Sequence, residues 1–388
     1  MGGERLKLDS KVSSELVFGS AVTKSHLRFT RAMRQTVHDH HPSVPHYVLL
    51  LDALSGEALP KPAAGETYLP FDAVVTDANE RRRLTFRYDP FELVCAMKPL
   101  LASYLVGEKG AASVAYFDSD MTLHAPLPAS ALPADSRSIV LTPHWIQGAA
   151  PGFEAKVLSH GAFNAGFFSV RNDERGRAFL DFWWERCRRF CVGEGGLFFD
   201  QAWLNLAPIV FNESLSVCTH SGMNVASWNL HERMIRFDQG HVVTAANEPL
   251  VLFHWSHWSH VQFGENGRVF PVDVPLDPVR GFDTFAAVRV LHREFAALVA
   301  THTSSEDSHR YRYATFADGS PILGADRAAY RDQGDAIEGD ASANPFEEVR
   351  WFKSRRARGQ LKRAARRISD KAATAVAALA RSGRSWFR

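Results

Sequence analysis

Cysteine is scarce in this chain, with four residues in 388: Cys95, Cys187, Cys191 and Cys218. That excludes a disulfide framework, and the spacing in "WWERCRRFC" is not that of a zinc knuckle. All four are expected to be reduced, mostly buried thiols. Long apolar runs are missing too. No stretch approaches 18 uncharged apolar residues, so no transmembrane helix is expected. The opening "MGGERLKLDSK" lacks an apolar signal core, and Leu6 stands where a myristoylation motif starting at Gly2 wants Ser or Thr. A cytoplasmic protein is the expectation. Internal repeats are absent. Net charge is small, +2 from 45 basic and 43 acidic residues, but it is unevenly spread. Residues 351–388 hold 12 Lys and Arg against one acid, Asp370, which leaves the body net acidic. Body and tail are therefore expected to meet different partners.

What is present is the composition of a globular protein, 45% hydrophobic and 23% charged. The chain is long enough for one large domain or two ordinary ones. "SELVFGSAV" (14–22) reads as a strand. "SHLRFTRAMRQTVHDHH" reads as a helix capped by Ser25, and "HPSVPHYVLLLDA" as a second, fully apolar strand. Together they make a βαβ unit with a parallel sheet. "FDAVVTDA" is expected to be a short strand. "DPFELVCAMKPLLASYLVGEKG" is a helix opening at Asp89 and Pro90 and closing on Gly107 and Gly110. It leads into "AASVAYFDSD", the fourth strand. Further on come a strand around Asn164 to Gly166, a helix from about Asp173, and a short helix at Asp200 and Gln201 followed by an extended piece. A strand "PLVLFHW" and a helix over about 282–301 complete the pattern, with polar irregular sequence after it.

The stretch that carries chemistry is "YFDSDM". Asp118 and Asp120 follow a hydrophobic strand with only Ser119 between them. Asp is common where a strand turns, so a plain turn is one reading. The other is a cation site. Side chains two apart in extended chain share a side, and hard divalent cations take carboxylate oxygens and bridge them to phosphates. The carboxyl ends of strands are also where open α/β sheets bind ligands.

The elements "FELVCAMKPLL", "YFDSDM", "FNAGFFSVRN", "FFDQAWLN", "NVASWNLHER" and "LFHWSHW", in this order over roughly residues 14 to 265, resemble the GT-A-fold glycosyltransferases. The nearest likeness is to glycosyltransferase family 8 and bacterial relatives grouped with it. The resemblance implies an α/β, Rossmann-like nucleotide-diphospho-sugar transferase fold. It would span residues 1–275, with a helical or irregular appendage over 276–350 and the basic tail over 351–388. It further implies Mn²⁺ or Mg²⁺ held by Asp118, Asp120 and His254 against the diphosphate of a UDP-sugar. Lys98, Ser119, Asn164 and Gly166 would face the donor, and Asp200 and Gln201 would lie beside the anomeric carbon. Retention of configuration is implied, with no nucleophile assigned and Gln201 as an orienting or charge-stabilising group. The acceptor would be a glycan, a lipid-linked molecule or a protein, in cell-envelope polysaccharide synthesis. "MNVASWNLHERMI", with Trp228 and His231, is the candidate acceptor wall.

One departure stands out. The family often continues its metal histidine as His-x-x-Gly-x-x-Lys, whereas those offsets here hold His257 and His260. Three histidines at this spacing also admit a zinc reading. "VAYFDSDMT" equally fits the Asp-x-Asp-x-Thr of haloacid-dehalogenase-like phosphohydrolases, with Asp118 as nucleophile and "QGDAIEGD" as the late acidic motif. A sugar-nucleotide-binding protein without transferase activity is a third alternative. In the tail, Leu361, Ala365, Ile368, Ala372, Val376 and Leu379 form one helical stripe among many Arg and Lys. Peripheral contact with an anionic membrane is the sharper expectation and a solvated tail the plainer one. Nucleic acid is not expected, because the body is acidic and no base-stacking pattern is present.

Overall fold

A computed structural model of the chain describes residues 16–134, 136–148, 151–256, 284–333 and 344–356. His257, His260, the acids at 335–340 and most of the basic tail lie outside the described residues. No described helix is long and apolar enough to cross a membrane. The chain divides into two compact units. One comprises residues up to Ala78 together with Pro90–Tyr311. The other comprises Asn79–Asp89 together with residues from Arg312 onward.

In chain order the first half gives β1 (Leu16–Val22), α1 (Leu27–His40), β2 (His46–Leu50), β3 (Glu66–Pro70), α2 (Phe71–Val74), α3 (Ala78–Arg87), α4 (Pro90–Gly107), β4 (Ser113–Phe117) and β5 (Met121–Leu123). Then come β6 (Ile139–Pro143), α5 (Pro151–Leu158), β7 (Phe163–Arg171), α6 (Glu174–Phe190), α7 (Gln201–Leu204), α8 (Ala207–Val210), β8 (Leu215–Val217) and β9 (Val225–Ala226). The hairpin β10 (Ile235–Asp238) and β11 (His241–Thr244), β12 (Leu252–His254), α9 (Thr284–Thr301) and α10 (Gly324–Arg331) complete the described elements.

The α/β class expected from the pattern is the class found. A seven-stranded sheet runs β3-β2-β1-β4-β7-β6-β8. β1, β2, β3 and β4 are parallel, β7 is antiparallel to both β4 and β6, and β8 is parallel to β6. β1 and β2 are buried nearly throughout, as strands covered on both faces must be. α4 packs on β1, β4 and α6, while α1 packs on β5 and α9. Gly19 permits the approach of α4, since a Cβ there would stand 3.0 Å from Leu105 Cδ1. A second sheet, β5-β12-β9, grows from the turn after β4.

Several local expectations change. Ser25 does not cap α1. It sits inside a 3₁₀ turn, Lys24–His26, and its hydroxyl bonds Thr23 Oγ1 and His26 Nδ1. "FDAVV" is not a strand. The strand is the preceding "ETYLP", and Pro70 starts the helical turn α2, which buries Phe71. Phe71 burial and the φ of Pro70 outweigh the β preference of the valines. "APIV" is helical rather than extended, with proline in the first turn where no N–H is needed. The helix α10 lies inside the appendage expected to be helical or irregular over 276–350. By contrast, the helix expected from about Asp173 is α6, and the Asp173 carboxylate caps it by accepting from Gly176 N at 2.8 Å. The four cysteines are free and buried.

The second unit builds its own small core, Phe86 with Phe316, Tyr330, Val349 and Phe352. Arg327, on α10, places one guanidinium nitrogen on the carbonyls of Thr85, Phe86 and Tyr88, satisfying the orphan carbonyls at the end of α3. Arg327→Met should lower stability by about 3 kcal/mol, because buried carbonyls lose their donor; urea unfolding checks this.

Three histidines, His46 and His144 buried and His124 half-buried, give the fold a pH dependence. Burial, reinforced by the charge of Arg34, lowers His46 to about 3. Burial lowers His124 to about 4, with His40 adding to it, and His144 to about 3. Each is therefore neutral in the folded protein and takes up a proton on unfolding below its ordinary value. Their contribution is complete above pH 6.5 and is lost as pH falls toward 4. Each costs up to about 1.4 kcal/mol per pH unit there. Thermal melts between pH 6.5 and 4.5 should show a steep fall, and His124→Gln should remove about a third of the slope.

Candidate functional site

The site lies at the carboxyl end of β4. Phe117 pairs with Phe167, and the ladder extends one step as Asp118 N donates to Gly166 O at 2.8 Å. Asp118, Ser119 and Asp120 then form the turn into β5, with Ser119 half-buried between the two acids. The turn reading and the cation reading thus describe the same residues. β5 pairs antiparallel with β12, and the register sets His254 opposite Met121. Trp255 N donates to Asp120 O at 2.7 Å and locks that pairing beside the turn. In consequence His254 Nε2 lies 3.3 Å from Asp120 Oδ1. One ligand atom each from Asp118, Asp120 and His254 lie within 4.8 Å of one another.

Across the sheet, β7 delivers Asn164 and Gly166. Its pairing with β6 slips between Leu141 and Thr142, a bulge of the kind that re-aims side chains. Thr142 Oγ1 donates to the carbonyls of Asn164 and Phe167, which clamps the bulge. Gly166 is required at this point. A Cβ there would stand 2.6 Å from His254 Cε1, 2.7 Å from Met121 Cε and 2.8 Å from Asn164 Oδ1.

Lys98, on α4, is 3% exposed. Its ammonium donates to a carboxylate oxygen of Asp118 at 3.0 Å and to Ala165 O at 3.2 Å. It also lies 3.3 Å from Asp200 Oδ2, without a well-aligned hydrogen bond. Burial alone would pull its pKa down, but the two carboxylates outweigh burial and hold the ammonium well above its ordinary value. Asp200 itself is raised by burial, with Lys98 opposing. Asp200 makes no capping bond to α7; its carboxylate serves the lysine instead. At Asp120 burial acts upward, but the imidazole of His254 prevails and keeps the carboxyl below the usual range.

Gln201 stands behind Asn164. Its Nε2 donates to His160 O at 2.7 Å, and its Oε1 lies 3.4 Å from Asn164 Nδ2 and 3.5 Å from Ala165 N. Asn164 Oδ1 accepts from Gly166 N at 3.1 Å and faces His254 Nδ1 at 3.2 Å. Lys98, Asp118, Asp120, Asn164, Gly166, Asp200, Gln201 and His254 thus belong to one connected network. Trp228 stacks edge-on against His254 and His144, with ring centroids 5.2 and 5.5 Å apart.

Two groups escaped the sequence reading. Asn224 is fully buried with its Oδ1 3.3 Å from His254 Nδ1. Glu232 accepts from Ile146 N and Gln147 N, while its neighbour Arg233 donates to Met223 O, so the pair ties the loop after β6 to the segment carrying Asn224. Both lie inside the stretch "MNVASWNLHERMI", whose aromatic and histidine residues drew attention first.

The residues fit a divalent cation. Two carboxylate oxygens and an imidazole nitrogen, with no thiolate, are a donor set for a divalent cation. Gly166 provides the room that a side chain would take from the imidazole.

No protein-family model matches the chain. A stretch of 187 residues is 29% identical to "Uncharacterized protein YfnF" of Bacillus subtilis (strain 168), covering 46% of this chain and 60% of that protein's length. Among solved structures, the chain is similar to the galactosyltransferase LgtC in complex with donor and acceptor sugar analogs. The TM-score is 0.41 at 14% identity, covering 74% of this chain and 96% of that one. A likeness that loose transfers neither an activity nor residue roles.

Gly166→Ala should displace His254 while leaving the sheet intact, lowering Mn²⁺ affinity about tenfold or more. Isothermal calorimetry with Mn²⁺, alongside far-UV circular dichroism, measures both parts.

Proposed function

We propose that the chain is a metal-dependent glycosyltransferase of GT-A type. It would move a sugar from a nucleotide-diphosphate donor, a UDP-sugar, to a glycan, lipid-linked or protein acceptor with retention. The observation that carries this reading is the Asp118, Asp120 and His254 cluster at the carboxyl end of a central strand. A cation bound there, Mn²⁺ or Mg²⁺, neutralises charge on the diphosphate leaving group.

The protein's own groups divide the remaining work. The Lys98 ammonium lies 3.0 Å from each oxygen of Asp118 and so fixes the orientation of that carboxylate beside Asp120 and His254. Asn164, Asp200 and Gln201 adjoin the same space and are assigned to the donor sugar. Gln201 is an orienting or charge-stabilising group, because its amide is tethered through Nε2 to His160 O. No nucleophile is assigned. Trp228 and His231 are assigned to the acceptor wall, Trp228 lying against the imidazole of His254. The residues to about 275 make up the catalytic part in this reading. The basic segment 351–388 would hold the enzyme at an anionic membrane surface, on the order of 1 kcal/mol per basic residue.

Asp118→Asn and Asp120→Asn should each weaken Mn²⁺-dependent UDP binding at least about hundredfold, or about 2.7 kcal/mol, by calorimetry. A screen of nucleotide sugars for Mn²⁺-dependent UDP release identifies the donor. Unchanged UDP affinity in both variants, or a phosphorylated Asp118 formed from a phosphate ester, would overturn the transferase reading.

A further inference from the structure

His254 can bind a cation through Nε2 only if that nitrogen carries the lone pair. The neutral imidazole must then keep its proton on Nδ1. The surroundings of Nδ1 decide this. Gln201 Nε2 donates to the carbonyl of His160, so Gln201 Oε1 is the atom turned toward the Asn164 amide. Asn164 Oδ1 receives the backbone N–H of Gly166. A backbone N–H only donates, so the Asn164 atom there is the oxygen, and the same oxygen lies 3.2 Å from His254 Nδ1. Nδ1 consequently faces an acceptor and must donate.

Asn224 completes the arrangement. Its Oδ1 lies 3.3 Å from the same Nδ1. It is held there by backbone structure rather than by side-chain packing. It sits at φ +53 immediately before β9, and β9 pairs with β12 so that Ala226 is opposite His254. Asn229 fixes the turn from within, donating to Asn224 O at 2.9 Å and accepting from Ala226 N at 2.8 Å. The other end of the Asn224 side chain, Nδ2, is buried with no partner. An unpaired buried donor is a cost to the fold, incurred by a side chain whose oxygen touches a ligand-bearing imidazole.

We infer that Asn224 is a positioning residue that, together with Asn164, holds His254 in the Nδ1–H tautomer and so presents Nε2 to the cation shared with Asp118 and Asp120. The inference rests on the metal-site reading of that cluster. It adds a residue to the site, one whose role is exerted through His254. Left-handed backbone is open to Asn, Asp and Gly, which makes the position testable without strain. Asn224→Gly removes the oxygen, and Asn224→Asp keeps it.

Long-range ¹H–¹⁵N spectra of the Mg²⁺-bound protein report the tautomer, because in the metal-free protein Nε2 also faces an acceptor, Asp120 Oδ1 at 3.3 Å; the His254 signals are those lost in His254→Gln. Calorimetry with Mn²⁺ reports affinity. The expected results are an Nδ1–H tautomer in the wild type and in Asn224→Asp, and a mixture of tautomers in Asn224→Gly. Mn²⁺ affinity should fall about tenfold in Asn224→Gly and return to within about threefold of wild type in Asn224→Asp, the range seen for residues that orient metal ligands. An Nε2–H tautomer in wild type that binds Mn²⁺ would overturn this inference alone, and that spectrum needs no variant to fold. A folded Asn224→Gly protein matching wild type in both readouts would do the same. Absence of Mn²⁺ binding in the wild type would overturn the metal reading and this inference together.

Discussion

One buried ammonium organises the centre of this protein. Lys98 Nζ is nearly cut off from water, yet it stays charged because Asp118 and Asp200 lie on either side of it. Removing an ammonium from water is costly unless partners satisfy it, and here two carboxylates and the carbonyl of Ala165 do so. The same contacts bind four segments: α4, the turn after β4, β7 and the start of α7. Asp118 is thereby drawn toward the helix side, while Asp120, two residues on, faces His254. The two acids of one short motif acquire different partners because a single lysine takes the first.

The second half of the site depends on strand register. β12 reaches the turn only because it pairs with β5, and Trp255 N on Asp120 O sets the alignment to the residue. A slip of one position would send the imidazole to the opposite face. β7 contributes through an irregularity rather than through regular pairing. Its bulge against β6 turns Asn164 inward and places Gly166 where His254 needs space. The amides of Asn164 and Asn224 then meet the imidazole at Nδ1, Gln201 backs Asn164, and Nε2 is left facing Asp120. The amides of Gln201 and Asn164 cannot exchange donor and acceptor ends, because each ends on a backbone group, His160 O and Gly166 N.

Much of this was visible in residue order alone. The alternation of strands and helices, the helix 90–107 and the strand-end acids follow from local rules, whereas the histidine closing "LFH" was singled out only by the family resemblance. Apolar periodicity, proline and glycine punctuation and capping act over a few residues, so they can be read without the fold. Short segments failed where burial overrode propensity. "FDAVV" buries Phe71 as a helical turn, and "APIV" turns helical at Pro208.

What the sequence by itself determined is therefore the layered α/β class and the residue types gathered at the end of β4. The tertiary structure alone decided that Lys98 pairs with Asp118 and Asp200, that Asp200 is not a helix cap, that Gln201 is tethered behind Asn164, and that Asn224 touches His254. These are pairings between residues far apart in the chain. They depend on strand register, on a bulge and on burial of charge, which are set by the packing of all the elements together. Nothing in the neighbourhood of Asn224 in the chain distinguishes it from an ordinary turn asparagine; its role comes from β9 lying beside β12.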